Sequence, residues 1–195
     1  LASADEYAPD AAQIAARSLR NTCLAFLASA RGLYPQLARH QFSEARNMTD
    51  RLAALQAIVF YGDEADREEA LERFHRDWRH DTLVMNQWFS LQAAMPLGDT
   101  LARVQSLLAH PDFDIRNPNK VRALVGGFTG RNPVHFHRID GAGYRFLADM
   151  VVRLDSANPQ LASRLLAPLT KWRNYRGRAQ LMHAQLERLG TRGDL

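Results

Sequence analysis

The sequence has a single cysteine, Cys23, in 195 residues. That excludes an internal disulfide framework and a thiolate zinc cluster, and it fits a reducing compartment, so a cytoplasmic location is expected. The neighbours Thr22, Leu24, Ala25, Phe26 and Leu27 are mostly apolar, which predicts a buried, inert thiol. No apolar run approaches the roughly 20 residues that cross a bilayer, and Leu1-Ala2-Ser3-Ala4-Asp5-Glu6 lacks the basic and apolar regions of a signal peptide. A soluble chain with no membrane partner is expected. Long polar–apolar alternation is also missing, which argues against a sheet.

Catalytic motifs are equally scarce. His75 and His80 lie five apart, whereas a zinc-binding helix needs two histidines four apart with a glutamate between them. His135 and His137 flank Phe136 with no nearby carboxylate or cysteine, a poor ligand set. No Gly-x-Ser-x-Gly elbow occurs, and Cys23 has no base close by in sequence. Gly126-Gly127-Phe128-Thr129-Gly130 lacks the lysine of a P-loop and follows a helical pattern, so a helix stop and turn is expected there. Glu68-Glu69 and the Asp112/Asp114 pair sit in polar segments that would not raise a proton affinity. Neither a catalytic nor a metal-ligating residue is expected in this chain.

What is present is core and charge. Hydrophobic residues make up 46% of the chain, enough for a buried core. The formal charge is +4, but 25 basic residues face 21 acidic ones, largely interspersed. The exception is the basic tail through Arg164, Lys171, Arg173, Arg176, Arg178 and Arg188, read first as a solvated face and second as a surface for an anion or a partner. No specific nucleic-acid binding is expected. Trp78, Trp88 and Trp172 fall in helical patterns and read as core or interface anchors.

Helical periodicity runs throughout. Pro9 suits the first turn of a helix from Asp10 to Ala30, with Ile14, Leu19, Cys23, Phe26 and Leu27 near helical spacing and Gly32 as its break. Further helices are expected at 34–46, at 49–61 with Leu52, Leu55, Ile58 and Val59 inward and Gly62 as its stop, and at 64–78 behind an Asp63 cap. Others are expected at 82–95 ended by Pro96-Leu97-Gly98, at 100–109 behind Asp99 or Thr100, and at 119–126 behind Asn119. A long ordered loop is expected over 129–143, then helices at 144–154, 159–172 and 175–189. The class is all-α, one helical domain over 1–195. Short connections between consecutive helices suggest stacked antiparallel hairpins, a HEAT-like two-layer α-solenoid, with a globular bundle as the alternative.

The most distinctive stretches are His110 to Phe128, Asn132-Pro133-Val134-His135-Phe136-His137, Asp140-Gly141-Ala142-Gly143-Tyr144-Arg145-Phe146-Leu147 and Asn158-Pro159-Gln160-Leu161-Ala162-Ser163-Arg164-Leu165, preceded by Met85-Asn86-Gln87-Trp88-Phe89-Ser90-Leu91-Gln92. In this order they resemble the C-terminal helical domain of the aminopeptidase N (alanyl aminopeptidase) family. The resemblance implies the later portion of that domain in a zinc exopeptidase that removes N-terminal residues from short peptides. The zinc and the catalytic domain, this chain's partner within the same polypeptide, would lie outside these residues; the chain itself would need no cofactor. The domain would close the active-site chamber. By position, Arg122 and Arg164 match arginines facing that chamber, with Gln160 one turn before Arg164. An arginine fork suits a peptide carboxylate because it donates two parallel hydrogen bonds. Structural ion pairing of both arginines is the competing reading. A free-standing helical-repeat scaffold for a protein or nucleic acid is the alternative function.

Overall fold

In a computed structural model, residues 7–30 and 35–191 are described. Every regular element among them is helical. The chain divides into two compact units, Leu1–Asp77 and Trp78–Leu195.

The first unit is centred on α3 (Met48–Tyr61), on which α1 (Ala11–Ser29) and α2 (Pro35–Glu44) pack. Asn47 starts α3 by accepting the Asp50 amide at 2.9 Å, satisfying one of the donors a helix leaves unpaired at its first turn. Ala54, Leu55, Ala57, Ile58 and Val59 are buried from it. Gly62 ends it as expected: a Cβ there would lie 2.6 Å from the Ile58 carbonyl oxygen. α4 (Glu64–Trp78) begins behind Asp63, which accepts the Asp66 amide at 2.8 Å. Buried Arg67 then turns back onto the end of α3, donating to the carbonyls of Val59 and Gly62 at 2.9 Å each.

A polar seam joins the first three helices. Buried Asp50 accepts from Arg20, from Asn21 Nδ2 at 3.0 Å and from Asn47 Nδ2 at 2.7 Å. Gln41 of α2 donates to Asn21 Oδ1 and to the Asp50 carbonyl. A carboxylate this enclosed is tolerable because its acceptor sites are occupied by donors, one of them charged.

The second unit is built around α5 (Thr82–Ala93) and α10 (Ala142–Asp155). Asp81 caps α5, and Asp99 caps α6 (Thr100–Leu107) as expected. Next come α7 (Pro118–Val121), a π-helical stretch at Arg122–Gly126, α8 (Gly127–Arg131) and α9 (Pro133–Phe136). α10 buries Tyr144, Phe146, Leu147, Met150, Val151 and Leu154. α11 (Pro159–Leu165), α12 (Ala167–Thr170), a 3-10 turn (Trp172–Asn174) and α13 (Ala179–Gly190) complete the unit. Edge-to-face rings hold its centre: Phe128 on Phe136 at 6.0 Å, Phe128 on Phe146 at 5.5 Å and Phe136 on Tyr144 at 5.3 Å.

Several sequence expectations are corrected. Asp10 is the cap of α1, accepting the Gln13 amide at 2.8 Å, so Pro9 precedes the cap instead of filling the first turn. The helix expected behind Asn119 starts at Pro118 behind Asn117 and does not stop at the glycine pair. It runs on through Gly127, whose absent side chain lets it close on α5: a Cβ there would meet Ser90 Oγ at 3.2 Å and Ala93 Cβ at 3.3 Å. The long loop over 129–143 therefore holds the end of α8 and all of α9. The helix expected over 159–172 is broken into α11 and α12, and the last helix begins at Ala179, after Gly177 at φ +75°. Tyr34 and Gly32 lie outside the described residues.

The largest correction concerns α1. Cys23 is exposed, not buried. Ile14, Leu19 and Phe26, expected in the core, are 52%, 67% and 74% exposed, and Leu27 is exposed as well. The core-facing side of α1 carries Leu24 and the polar residues that meet Asp50 instead.

Candidate functional site

Arg122 stands at the head of the π-helical stretch, with its side chain exposed. Asn117 positions this segment by accepting the amides of Asn119 and Lys120, while Pro118 fills the first helical position without an amide to satisfy. One turn before Arg122, Asn119 Oδ1 accepts from an Arg122 terminal nitrogen at 3.0 Å. That bond ties one corner of the guanidinium and leaves its other N–H groups open, a geometry able to receive a carboxylate side-on.

Gln160 and Arg164 occupy α11, four residues apart and both exposed, so they share one helix face. Asn158 caps that helix through the Leu161 amide at 3.0 Å, and Leu161, Ala162 and Leu165 press the opposite face inward. The two arginines sit on different supports. The π-helical stretch packs chiefly on α5, α7 and α8, whereas α11 packs on α10 and α12. No hydrogen bond joins Arg122 to Gln160 or Arg164 among the described residues. Among the described residues neither arginine is paired with an acid.

The loop histidines are engaged elsewhere. His135 Nε2 lies 3.3 Å from the Pro96 carbonyl, and His137 Nδ1 lies 2.8 Å from the Tyr144 hydroxyl. Bonded to different groups, they do not fit a shared zinc site. Burial first, and the Arg178 charge second, hold the His137 imidazole below its ordinary pKa, while burial pushes the Tyr144 phenol up. A neutral imidazole is able to accept a hydrogen bond from the Tyr144 hydroxyl, which keeps its proton. Tyr175 stacks on the other side of the ring at 4.1 Å, and Arg178 Nε donates to the His137 carbonyl at 2.5 Å.

This half-buried group was missed from sequence, because Tyr175 and Arg178 are far from His137 along the chain and no periodicity links them. Asn132 was missed too. Its side-chain amide, 2% exposed, donates to the carbonyls of Ala93 and Met95 at 3.0 and 2.8 Å, and its oxygen accepts the His135 amide. One side chain thus finishes α5 and starts α9. From the basic tail, Arg178 turns inward and Arg188 meets Asp149 at 2.7 Å, so the tail is not a uniform cationic face.

The family profile described as "Domain of unknown function (DUF3458_C) ARM repeats" matches residues 1–195. The chain belongs to that family, an α-helical repeat class that bears out the all-α solenoid expectation. Within it, the chain is similar to aminopeptidase N of Caulobacter vibrioides, with 46% identity over 187 residues, covering 94% of this chain and 21% of that protein. It is similar to aminopeptidase N of Escherichia coli at 45% identity over 186 residues, with the same coverage of both chains. The crystal structure of Legionella pneumophila aminopeptidase A in complex with aspartic acid superposes with a TM-score of 0.86 at 33% identity, covering 97% of this chain and 23% of that one. These matches bear out the resemblance to the C-terminal helical domain of aminopeptidase N. The chain spans about a fifth of the length of these relatives.

Proposed function

We propose that this chain is the non-catalytic C-terminal part of a cytoplasmic zinc aminopeptidase that trims N-terminal residues from short peptides. Its partner is the catalytic domain of the same polypeptide, which carries the zinc. The observation that carries this reading is 46% identity to an aminopeptidase N along 187 of 195 positions. In this reading the domain limits the chamber to short peptides, and Arg122, Arg164 and Gln160 face the substrate. With the peptide amino end fixed near zinc, its free carboxylate extends toward this domain. Exposed arginines without acidic partners among the described residues suit that role, and Asn119 keeps one of them oriented.

The test uses the full-length enzyme and two substrates. A charge-assisted hydrogen bond contributes about 1.5–3 kcal/mol, so Arg122→Ala or Arg164→Ala should lower kcat/KM for a suitably short peptide by roughly ten- to hundredfold. An aminoacyl arylamide has no carboxylate, and its turnover should change little. Equal losses on both substrates would make the arginines structural, and no loss on either would remove them from the substrate path. A free-standing scaffold would instead require specific partner binding. Duplex nucleic acid should bind no better than non-specifically, roughly 0.1 mM or weaker at physiological salt, and nanomolar sequence-dependent binding would favour the scaffold.

A further inference from the structure

The corner between α12 and α13 is thinly anchored. Leu169 and Met182 are fully buried, but no residue between them is. The chain turns there through the 3-10 turn Trp172–Asn174 and through Gly177 at φ +75°. What the corner does hold is His137, in the loop between α9 and α10. Tyr175 lies nearly flat on the imidazole, with ring centroids 4.1 Å apart and planes 22° from parallel. Arg178 Nε donates to the His137 carbonyl at 2.5 Å. On another side of the ring, Nδ1 lies 2.8 Å from the Tyr144 hydroxyl of α10. Trp172 meets only its neighbour Arg173 and His183 of α13. Among the described residues, every hydrogen bond and ring contact that side chains of 171–178 make beyond the corner and α13 therefore ends on His137.

We infer that His137 is a proton-sensitive latch, whose protonation releases the 172–178 corner and the first turn of α13 while the core of the unit stays folded. The groups around the ring set the direction. From the corner come the Arg178 guanidinium and the Tyr175 phenol, and from α10 the Tyr144 phenol. On the loop itself, Asp140 and, from α6, Asp99 are both engaged by Arg138, at 2.7 and 3.7 Å. Arg145 of α10 donates to the Asp140 carbonyl, and His135 of α9 meets the Pro96 carbonyl. No carboxylate contacts the His137 ring among the described residues, so a positive charge placed there beside Arg178 has no partner. Protonation also makes a donor of each ring nitrogen, so the Tyr144 hydroxyl has to reverse to keep its bond.

Burial first, and the Arg178 charge second, hold the latched imidazole below its ordinary pKa of 6.5. The released corner then takes up the proton more readily than the latched one. The latch is at full strength above pH 6.5 and weakens as the pH falls below that value, until the latched pKa is passed. Such a linkage is minor against the stability of the whole unit. It matters for a segment with so few buried side chains, because local opening costs far less free energy than global unfolding. Firm anchors on either side limit the opening: Leu169 in α12, then Met182 and Leu189 in α13, where Arg188 also pairs with Asp149 of α10. α11, which carries Gln160 and Arg164, packs chiefly on α10 and lies outside the released segment.

Amide hydrogen exchange read by mass spectrometry on the full-length protein tests the latch, with each rate divided by that of an unstructured peptide of the same sequence at the same pH. The amides of Asn174, Tyr175, Arg178 and Met182 are hydrogen-bonded and report on the corner. Their peptides should lose protection as the pH falls from about 7.5 to about 5, while peptides of α10 keep theirs. His137→Phe keeps an aromatic ring against Tyr175 but takes up no proton, and it should abolish the pH-dependent loss. His137→Gln should abolish it too, and serves where the phenylalanine variant does not fold. Protection of the corner that is the same at both pH values would overturn the inference, as would a pH-dependent loss that persists in a folded His137 variant. Loss of protection in α10 in step with the corner would mean that the whole unit opens, and would overturn the local latch.

Discussion

Helices α1 and α10 are both long and both rich in apolar residues, yet they distribute them oppositely. α10 buries Tyr144, Leu147, Met150, Val151 and Leu154 and sends Arg145, Asp149 and Arg153 outward at four-residue intervals. α1 sends Leu19, Cys23 and Phe26 outward and folds Arg17 and Arg20 inward onto polar partners. A helix whose charges face solvent has finished its packing. In α1 the inward face is instead a mixture of Leu24 and satisfied polar groups, and the apolar Leu19 and Phe26 are left exposed. The same 3.6-residue period therefore marks a buried face in one helix and an exposed apolar face in the other.

The sharpest way to break this comparison is to truncate one leucine in each helix of the 195-residue chain. Leu147, fully buried, should cost about 2–5 kcal/mol as Ala, through lost burial and the cavity left behind. Leu19, 67% exposed, should stay within about 0.5 kcal/mol as Ala. Urea unfolding followed by circular dichroism reads both, and equal losses would mean that α1 is packed after all.

The inward charges of α1 come next. Asp50→Ala removes a part-buried acceptor shared by Arg20, Asn21 and Asn47, and it should cost about 2–3 kcal/mol. Replacing Arg20 and Asp50 together by a well-packed apolar pair should recover part of that loss. If Asp50→Ala is neutral in thermal melting, the seam does not hold α1 and its orientation has another cause.

Within the second unit, glycine contacts separate a packed position from an open one. Gly143→Ala at the start of α10 would set a Cβ 2.3 Å from the Phe136 carbonyl oxygen, and overpacking of this kind costs about 1–3 kcal/mol. Gly190→Ala, with nothing within 4 Å of the added carbon, should leave the melting temperature unchanged or slightly raised.

The smallest expected effect is a pH dependence carried by His137. Its folded pKa lies below the ordinary value of 6.5, so the unfolded chain binds more protons in that interval. The contribution of this group to stability is therefore intact above pH 6.5. It falls as the pH drops below that value and levels off once the folded pKa is passed. His137→Gln should flatten that part of the stability curve measured by urea denaturation, while Arg178→Ala should weaken the dependence by removing the charge that also opposes protonation. An unchanged slope in His137→Gln would assign the acid sensitivity to other groups.

Much of this fold was legible residue by residue. Asp63, Asp99 and Gly62 were read as punctuation because each acts on backbone groups within a few residues of itself, and local hydrogen bonds leave local signatures. Gly126-Gly127 misled for the converse reason: the pair looks like a stop, but its purpose is the distance between α8 and α5, which no window along one helix contains. The candidate site divides in the same way. Sequence position marked Arg122, Gln160 and Arg164, while the Asn119 bond and the separate supports of the two arginines emerged only in three dimensions.

By itself, then, the sequence determined an all-α chain, most of its helix starts and the order-preserving likeness to aminopeptidase N, since periodicity, capping and motif order are all properties of neighbours along the chain. Tertiary structure alone decided which face of α1 is inward, because Leu24 and Leu19 are equally apolar and equally periodic, and only the buried Asp50 that draws in Arg20 chooses between them. It also decided that His137 is hydrogen-bonded to Tyr144, stacked on Tyr175 and held below its ordinary pKa, and is not a free loop histidine, since these partners and the Arg178 charge lie from 7 to 41 positions away.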